Sequence, residues 1–431
     1  MLELHKATIK PINLWSIPLM GAAGAVSAYC SWQLDHASSQ MLLTWLLPFL
    51  WLMCTSRSQA VAVVASYYFV AWFDMPIAAH RITGWPQTLG FSVLTLYVCM
   101  VALIWAVAWT GPLVPRCIRF IVLLAVTNMP PLAAFSAPSQ LLSAGWLFPN
   151  LGLYGLIFCI VSWPCIALIF LTNNKKIKTA SIVVAVLLVA TSITANVAWE
   201  HGQNAGNLVV KNLDTQLPRY PTSKSEHFNR QLELVNLASR ALGSADSPNL
   251  VVLPESVGGV WQANIEWLWR SMTTEGTSPN KGLLVGFDIV ESDDGAQSNG
   301  AILFEANSVS TVHARIPMPV GGWHPWKSAG HMPMRWFDSG LIKTNKGTTS
   351  LAVVFCYEEL LLWPWVVTAW NAGHEKIQVV VLANQWFASH LNSNSAQINA
   401  STAQARLWGW PITRSVNFPS VVRESRTATT E

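Results

Sequence analysis

The first 200 residues of this chain carry too few charged side chains to form a water-soluble fold of ordinary kind. Up to Trp199 the acidic residues are only Glu3, Asp35 and Asp74, accompanied by nine Lys and Arg. Charged residues make up 11% of the whole chain, against about 25% in typical soluble proteins. Because a soluble domain needs more charge than this to cover its surface, the first half is predicted to lie in a membrane.

Apolar stretches of roughly the length needed to cross a bilayer recur along this half. A crossing takes about 20 residues, within a range of about 17–25. Seven stretches fit that pattern closely enough to predict about seven helices. They cover residues 14–34, 38–54, 59–73, 89–110, 117–135, 151–172 and 179–199.

The distribution of basic residues tests this count, because Lys and Arg concentrate in the cytoplasmic loops of membrane proteins. With seven crossings and a cytoplasmic N-terminus, eight Lys and Arg fall inside and only Arg81 falls outside. An odd number of crossings places everything after Trp199 on the extracytoplasmic side. Residues 38–54 and 59–73 are short, so a re-entrant or interfacial hairpin is the alternative for that pair.

One outside loop contains three polar residues, Asp74, His80 and Arg81, close to a Gly-Trp-Pro sequence. The simpler interpretation is an interfacial loop, since Trp favours the membrane–water interface. The alternative is the rim of a site for lipid head groups.

The composition changes near residue 200. Seventeen basic and nineteen acidic residues lie beyond Trp199, and short apolar runs alternate there with a predicted amphipathic helix at 226–242. Apolar strands alternating with helices are typical of sheets covered by helices. The predicted organisation is a helical membrane domain, 1–200, and an extracytoplasmic α/β domain, 201–431. No basic stripe or RNA-binding motif is present, so nucleic acid is not an expected partner.

Two predicted strands of the second half end in residues capable of chemistry. Glu255 follows the apolar run 250–253, and a carboxylate leaving a buried strand has a raised pKa that suits a general base. Cys356 follows the run 351–355 and precedes a helix start, a position that favours the nucleophilic thiolate. It is the only Cys beyond residue 200, whereas the other six lie in or beside the apolar stretches. Either residue could instead be structural.

Several short motifs of the second half resemble those of the nitrilase, or carbon–nitrogen hydrolase, superfamily. Within it, the Cys-Tyr-Glu sequence after an N-terminal helical bundle is similar to apolipoprotein N-acyltransferases. Residues 314–320 with Trp323 are closer to the conjugal transfer TraB proteins. The matching motifs are Leu-Pro-Glu-Ser at 253–256, Phe-Cys-Tyr-Glu at 355–358, Asn-Gln-Trp-Phe at 384–387, Ala-Gln-Ala-Arg at 403–406 and Arg-Ser-Val-Asn at 414–417.

This resemblance implies an α-β-β-α sandwich that uses a Glu–Lys–Cys triad and passes through a thioester, with no cofactor or metal. It also implies a multi-pass protein of the bacterial inner membrane whose second domain is periplasmic. The implied partners are membrane lipids, a lipoprotein substrate or proteins of a conjugation apparatus. Glu255 and Cys356 match two members of the triad, and Glu358 matches the Glu two residues after the nucleophile.

The triad lysine has no match in this chain. Where the resemblance requires Lys, the sequence has His313-Ala314-Arg315. Arg315 can offer positive charge to an oxyanion but does not carry protons at neutral pH. Lys327, twelve residues on, is the second candidate. Gly322 stands where the acyltransferases have a loop Glu.

Two hypotheses of different class follow from these residues. The first is an enzyme in which Cys356 attacks an acyl carbonyl, Glu255 handles the proton and Arg315 stabilises the oxyanion. The second is a non-catalytic membrane component of a conjugation apparatus that keeps the fold for binding, which the missing Lys favours. A channel or transporter is disfavoured, because the apolar stretches carry almost no charge within the membrane.

Overall fold

The structure is a computed structural model of the chain. It describes residues 16–34, 38–201, 208–217, 223–244, 248–274, 281–291, 295–319, 322–323, 332–344, 349–388 and 391–418. We call residues 16–201 the helical region and residues 208–418 the α/β region.

The helical region consists of nine described α-helices joined by short turns and 3₁₀ segments. The 3₁₀ segments are Ser38–Trp45, Leu132–Phe135 and Gln140–Ser143. The helices are α1 (Ser16–Ala28), α2 (Leu46–Met53), α3 (Arg57–Ala71), α4 (Met75–Thr83), α5 (Gln87–Ala108), α6 (Leu113–Thr127), α7 (Ala144–Leu147), α8 (Gly152–Leu171) and α9 (Lys175–His201).

Three of these helices, α5, α8 and α9, are long and apolar enough to cross a membrane. The count becomes four if α3 and α4, which meet at a 44° bend, form one broken crossing. The predicted seven helices are therefore not confirmed. Residues 38–54 form a 3₁₀ segment followed by the eight-residue α2, and the helix in 117–135 ends at Thr127, just before Pro130 and Pro131. Proline cannot continue an α-helix, because it lacks the backbone N–H.

The bend between α3 and α4 has a local cause. Pro76 lies in the first turn of α4, where its missing N–H costs nothing, and Asp74 is the N-cap residue. The helix ends at Gly84, whose φ of 75° is left-handed, a conformation that glycine adopts without strain. The loop predicted around Asp74, His80 and Arg81 is thus a short helix in this structure.

The α/β region contains nine described strands in two sheets. The first sheet has the order β1-β2-β3-β4-β5 and the second has the order β6-β7-β8-β9. The strands are β1 (Val210–Asn212), β2 (Leu250–Val252), β3 (Gly282–Val290), β4 (Gln297–Glu305), β5 (Ser308–His313), β6 (Leu341–Lys343), β7 (Thr349–Phe355), β8 (Lys376–Asn384) and β9 (Ile412–Asn417).

Four further helices cover these sheets. They are α10 (Lys224–Leu242), α11 (Glu266–Thr274), α12 (Trp363–Ala372) and α13 (Ser393–Trp408). The start of α10 carries a capping box, in which Ser223 and Glu226 satisfy each other's backbone N–H groups. The predicted helix at 226–242 is therefore present and begins two residues earlier.

The two sheets pack face to face through an apolar core. Val252, Leu284 and Leu303 of the first sheet share that core with Val353 and Leu382 of the second. Helices α10 and α11 cover the outer face of the first sheet, and α12 and α13 cover that of the second. The layers therefore run helix–sheet–sheet–helix, so the mixed α/β architecture expected of the second half is present.

Helix α13 also packs against the helical region. A side chain on Gly145 of α7 would collide with the backbone of Ala403, so the two helices approach as closely as glycine allows. Arg406 donates to the carbonyl of Gly145 at 3.2 Å and to Oδ1 of Asn196 at 2.7 Å, while its guanidinium lies 4.2 Å from the ring centroid of Trp146. One helix thus covers a sheet on one side and anchors the helical region on the other.

Candidate functional site

Cys356 lies at the boundary between the two regions. Strand β7 ends at Phe355, and Cys356 opens the 3₁₀ turn Cys356–Leu360. Its Sγ accepts a hydrogen bond from Nε2 of Gln397 on α13 at 3.2 Å. Gln397 is held in turn by Gln385, which follows β8 and donates to its side-chain oxygen at 2.7 Å. The thiol is therefore oriented by a chain of two amides.

Glu255 lies on a tight turn at the end of β2. The next residue, Ser256, has a φ of 55° and donates to Oδ1 of Asp288 at 2.6 Å. Strand β3 passes so close to this turn that a side chain on Gly286 would collide with the carbonyl of Pro254. Only glycine fits there, so Gly286 is part of what positions Glu255.

The carboxyl group of Glu255 is buried and incompletely hydrogen-bonded. Asn299 of β4 donates to its Oε1, whereas Oε2 has no hydrogen-bond partner among the described residues. Burial, together with the nearby carboxylate of Asp288, raises the pKa of Glu255 to about 8. This group is therefore poised to gain and lose a proton near neutral pH, as a general base requires.

Glu255 and Cys356 interact electrostatically. Burial raises the pKa of the Cys356 thiol well above its usual range, and the carboxylates of Glu255 and Glu359 raise it further. The thiol is thus neutral at rest and needs a base to become a nucleophile. The charge of Glu255 therefore acts on the thiol of Cys356, which lines a cavity whose lining does not include Glu255.

The cation whose charge acts on this thiol is Arg414, on β9. Arg414 is partly exposed, forms an ion pair with the buried carboxylate of Glu359 and lowers the pKa of Cys356. Its Nε and Nη2 atoms are buried with no hydrogen-bond partner in the described part of the chain. The sequence contained one relevant signal, the Arg-Ser-Val-Asn motif, but gave no reason to pair Arg414 with Glu359.

Arg315 occupies a different place from the one expected of a lysine substitute. It is buried, and its Nη2 pairs with Oε2 of Glu358 at 2.8 Å. Nη1 donates to Oγ1 of Thr368 at 2.7 Å and to the carbonyl of Pro364 at 3.0 Å. Neither Arg315 nor Glu358 lines the cavity at Cys356. Lys327, the second candidate, lies outside the described residues, as do the neighbouring positions 324–331.

The cavity at Cys356 is walled by both regions. We call it the thiol cavity. From the α/β region come Cys356, Tyr357 and Gln397, and most of the opposite wall comes from the helical region. The hydroxyl group of Tyr357 donates to the carbonyl of Ala134 at 2.6 Å and ties the two walls together.

A second, larger and apolar cavity adjoins the first, and we call it the lateral cavity. The two share four lining residues, Trp72, Met75, Met318 and Tyr357. The lateral cavity extends along α5 to residues whose side chains are exposed on the outer surface, including Leu96 and Met100. It therefore joins the site of the thiol to the apolar exterior of a helix long enough to cross a membrane.

No family model matches the chain. The chain resembles the TraB conjugal transfer proteins. It is 25% identical over 389 residues to a probable conjugal transfer protein TraB of Sinorhizobium fredii, covering 86% of this chain and 90% of that one. It is 22% identical over 401 residues to the conjugal transfer protein TraB of Agrobacterium fabrum, with 86% of each covered.

Solved structures match as well, among them a CN-hydrolase superfamily protein of Xanthomonas campestris with an arsenic adduct in its active site. The TM-score is 0.34 at 10% identity, over 49% of this chain and 77% of that one.

Within the described residues, no group of three or more His, Cys, Asp or Glu could hold a metal ion.

Proposed function

We propose that this protein is a membrane-anchored enzyme of the carbon–nitrogen hydrolase or N-acyltransferase type that supports plasmid conjugal transfer. The observation that carries the proposal is the pairing of Cys356, at the wall of a cavity, with Glu255, a buried carboxyl group of raised pKa. The similarity to TraB proteins supports the role in conjugation.

In the proposed reaction, the Glu255 carboxylate takes the proton of the Cys356 thiol, and the sulfur attacks an acyl carbonyl. The bond from the acyl carbon to its leaving group breaks, and Glu255 returns the proton to that group, leaving a thioester on Cys356. An amine or water then attacks the thioester carbon, gives its proton to Glu255, and the carbon–sulfur bond breaks. Cys356 regains its proton from Glu255.

The positive charge for this chemistry is proposed to come from Arg414, whose charge already acts on the thiol. Arg315 and Glu358 are proposed to support the reaction indirectly. The Glu358 carboxylate accepts the backbone N–H groups of Arg315 and Ile316 as well as the Arg315 guanidinium. The pair therefore holds the turn that carries Cys356.

The proposed acyl substrate is a lipid or lipoprotein. The lateral cavity is lined almost wholly by apolar side chains and reaches the exposed face of α5. An acyl chain that enters from a bilayer along α5 would stay out of water on its way to Cys356.

The proposed location is the bacterial inner membrane. Residues 1–200 would form a multi-pass membrane domain and residues 201–431 a periplasmic domain. If all seven predicted stretches cross, the bias of Lys and Arg toward one side supports this orientation.

A non-catalytic role in a conjugation apparatus is the second candidate. It is favoured by Arg315, whose donors are committed to Glu358, Thr368 and backbone carbonyls rather than to the thiol cavity. In that case the cavity would bind a lipid or peptide without reacting with it.

Mass spectrometry of Cys356 separates the two candidates. The purified full chain is incubated with vesicles containing phospholipid or a diacylated lipopeptide, and the peptide bearing Cys356 is analysed for an acyl adduct. The enzyme predicts an adduct in the wild type that is lost in Cys356→Ser and strongly reduced in Glu255→Gln. The matched control is Cys99→Ser, which removes an exposed thiol of α5 and should leave the adduct intact. A wild type without adduct, together with retained lipid binding, would establish the non-catalytic role.

A further inference from the structure

The thiol cavity contains one carboxylate among its described lining residues, that of Asp74. Asp74 comes from the helical region, at the break between α3 and α4, and faces a cavity whose other polar lining is mainly neutral. The reaction of Cys356 needs no such group, so Asp74 calls for a separate explanation.

Asp74 does not serve the helix that it precedes. As the N-cap residue of α4 it would ordinarily accept a hydrogen bond from that helix, yet its side chain makes no capping bond. Its Oδ2 instead accepts the backbone N–H of Asn392, just before α13, at 2.9 Å. The carboxylate is thus directed toward the α/β region and the cavity between the two regions.

A second helix irregularity places an amide beside this carboxylate. Helix α1 continues as a π-helical segment, Tyr29–Gln33, and such segments frequently occur at functional sites. Its last residue, Gln33, lines the thiol cavity and accepts a hydrogen bond from Nδ2 of Asn392 at 3.2 Å. Gln33 and Asp74, which line the thiol cavity together with Cys356, are therefore joined through Asn392 into one polar group.

The charge of Asp74 is not compensated within the described residues. No Lys, Arg or His of that part of the chain forms an ion pair with it. The two nearest in sequence bond to backbone carbonyls, His80 to that of Trp85 and Arg81 to that of Phe387. A half-buried carboxylate among apolar walls is stabilised when a cation reaches it.

We propose that Asp74, with Gln33 and Asn392, binds a primary ammonium group of the reactants at Cys356. This site rests on the proposed acyl transfer, and it would determine which reactants are selected. The ammonium could belong to the head group of an aminophospholipid that donates the acyl chain, or to the terminal amine of a peptide that accepts it. The carboxylate and the amide oxygen of Gln33 are acceptors suited to the three N–H donors of either.

When the bound ammonium belongs to the peptide that accepts the acyl group, Glu255 can carry the protons for the transfer. The bound ammonium first loses one proton to the Glu255 carboxylate. The amine nitrogen attacks the thioester carbon and the carbon–sulfur bond breaks. The second proton of the nitrogen passes to solvent, and Cys356 recovers its proton from Glu255.

The test measures the two half-reactions separately in the full chain, for the wild type and Asp74→Asn. Acylation of Cys356 is followed with vesicles of phosphatidylethanolamine and with vesicles of phosphatidylglycerol. Deacylation is followed with a peptide carrying a free terminal amine and with hydroxylamine, which is uncharged at neutral pH. The control variant is Asp338→Asn, which removes a carboxylate remote from the lining of both cavities.

If Asp74 binds the lipid that donates the acyl chain, Asp74→Asn should slow acylation of Cys356 by phosphatidylethanolamine about tenfold or more. Acylation by phosphatidylglycerol should keep the rate of the wild type. If Asp74 binds the amine that accepts the acyl group, Asp74→Asn should slow deacylation by the peptide to the same extent. The rate of deacylation by hydroxylamine should not change. Equal rates for the variant and the wild type with all four reagents overturn the inference while leaving the proposed function in place.

A third readout needs no turnover. Lysophosphatidylethanolamine and a peptide with a free terminal amine should slow alkylation of Cys356 by a maleimide, and this protection should weaken about tenfold in Asp74→Asn. Lysophosphatidylglycerol and the N-acetylated peptide serve as controls, because neither carries a primary ammonium group. The protection that each gives should be the same in both proteins. If no adduct ever forms on the wild type but this protection depends on Asp74, the proposed catalysis fails and the ammonium site stands. Protection that is the same in both proteins removes the site.

Discussion

Glu255 illustrates how a single residue is set up by neighbours distant in the sequence. Its turn is fixed by Gly286, its oxygen is held by Asn299, and its pKa is raised by burial and by Asp288. An apolar strand ending in Glu predicted a raised pKa, and that direction agrees with the structure. The partners could not be predicted, because they lie on β3 and β4 and approach only when the sheet forms.

The raised pKa of Glu255 has a consequence for stability. In the unfolded chain a Glu titrates near about 4.3, whereas in the folded protein the pKa is about 8. Between these values the folded state keeps a proton that the unfolded state releases, so stability falls as pH rises through this window and levels off above it. Glutamine does not titrate, so Glu255→Gln should gain stability relative to the wild type across the same window.

Melting temperatures of the two proteins in detergent, taken from pH 4.5 to pH 9, check this prediction. The difference should grow with pH and become constant above about pH 8. A difference that stays the same at every pH would mean that Glu255 titrates as it does in the unfolded chain.

Some residues of the site could be predicted from their neighbours in the sequence, whereas others could not. Cys356 and Glu255 could be singled out because each follows an apolar strand, a pattern readable over a few residues. Gln397 and Arg414 could not, since their roles depend on where α13 and β9 lie against the end of β7. The use of Arg315 as a partner of Glu358, 43 residues away, likewise depends on tertiary packing.

At the scale of elements, the predictions succeeded where a long pattern carried the information. The uninterrupted apolar runs of α5, α8 and α9 and the amphipathic pattern of α10 are present, with end shifts of a few residues. Strands β5 and β6 were not predicted, because they are short or polar at the edge of their sheets. The short helices α2 and α4 were misjudged since apolar composition does not reveal where prolines and 3₁₀ turns interrupt it.

Helix α13 is the element on which the union of the two regions depends. It carries Gln397 to the thiol and packs on α7 at the contact between Gly145 and Ala403. A Cβ atom at position 145 would lie 1.9 Å from the carbonyl oxygen of Ala403, so α13 must move. We expect Gly145→Ala to destabilise the protein by about 1–3 kcal/mol and to change the alkylation rate of Cys356.

The matched control for this variant is Gly111→Ala, where an added Cβ meets nothing within 4 Å. Chemical unfolding and the rate of maleimide labelling at Cys356 are measured for both. If Gly145→Ala matches the wild type in both measurements, α13 does not couple the helical region to the thiol.

At the scale of the whole molecule, the number of membrane crossings determines on which side the α/β region lies. The structure contains three helices able to cross a membrane, or four with the bent pair, and these two counts predict opposite sides for the α/β region if the N-terminus is fixed. With seven crossings and a cytoplasmic N-terminus, the distribution of Lys and Arg predicts an extracytoplasmic α/β region.

A fusion of alkaline phosphatase after Glu200 decides between the two sides. We expect an active phosphatase, because the enzyme needs its disulfides and these form only outside the cytoplasm. A fusion of a cytoplasmic reporter at the same residue should be inactive. The reverse pattern would place the α/β region in the cytoplasm and exclude the periplasmic assignment.

The shared walls of the thiol cavity also determine what a fragment of this protein could do. An isolated α/β region would retain Cys356, Glu255 and Arg414, but its thiol would face open water where Trp32, Trp72 and Ala78 of the helical region now stand. A thioester formed there would be surrounded by a competing nucleophile at molar concentration, and hydrolysis would outrun transfer to a scarce amine. In the proposed enzyme the helical region would therefore do more than anchor the chain, because it would exclude water from one side of the thiol cavity.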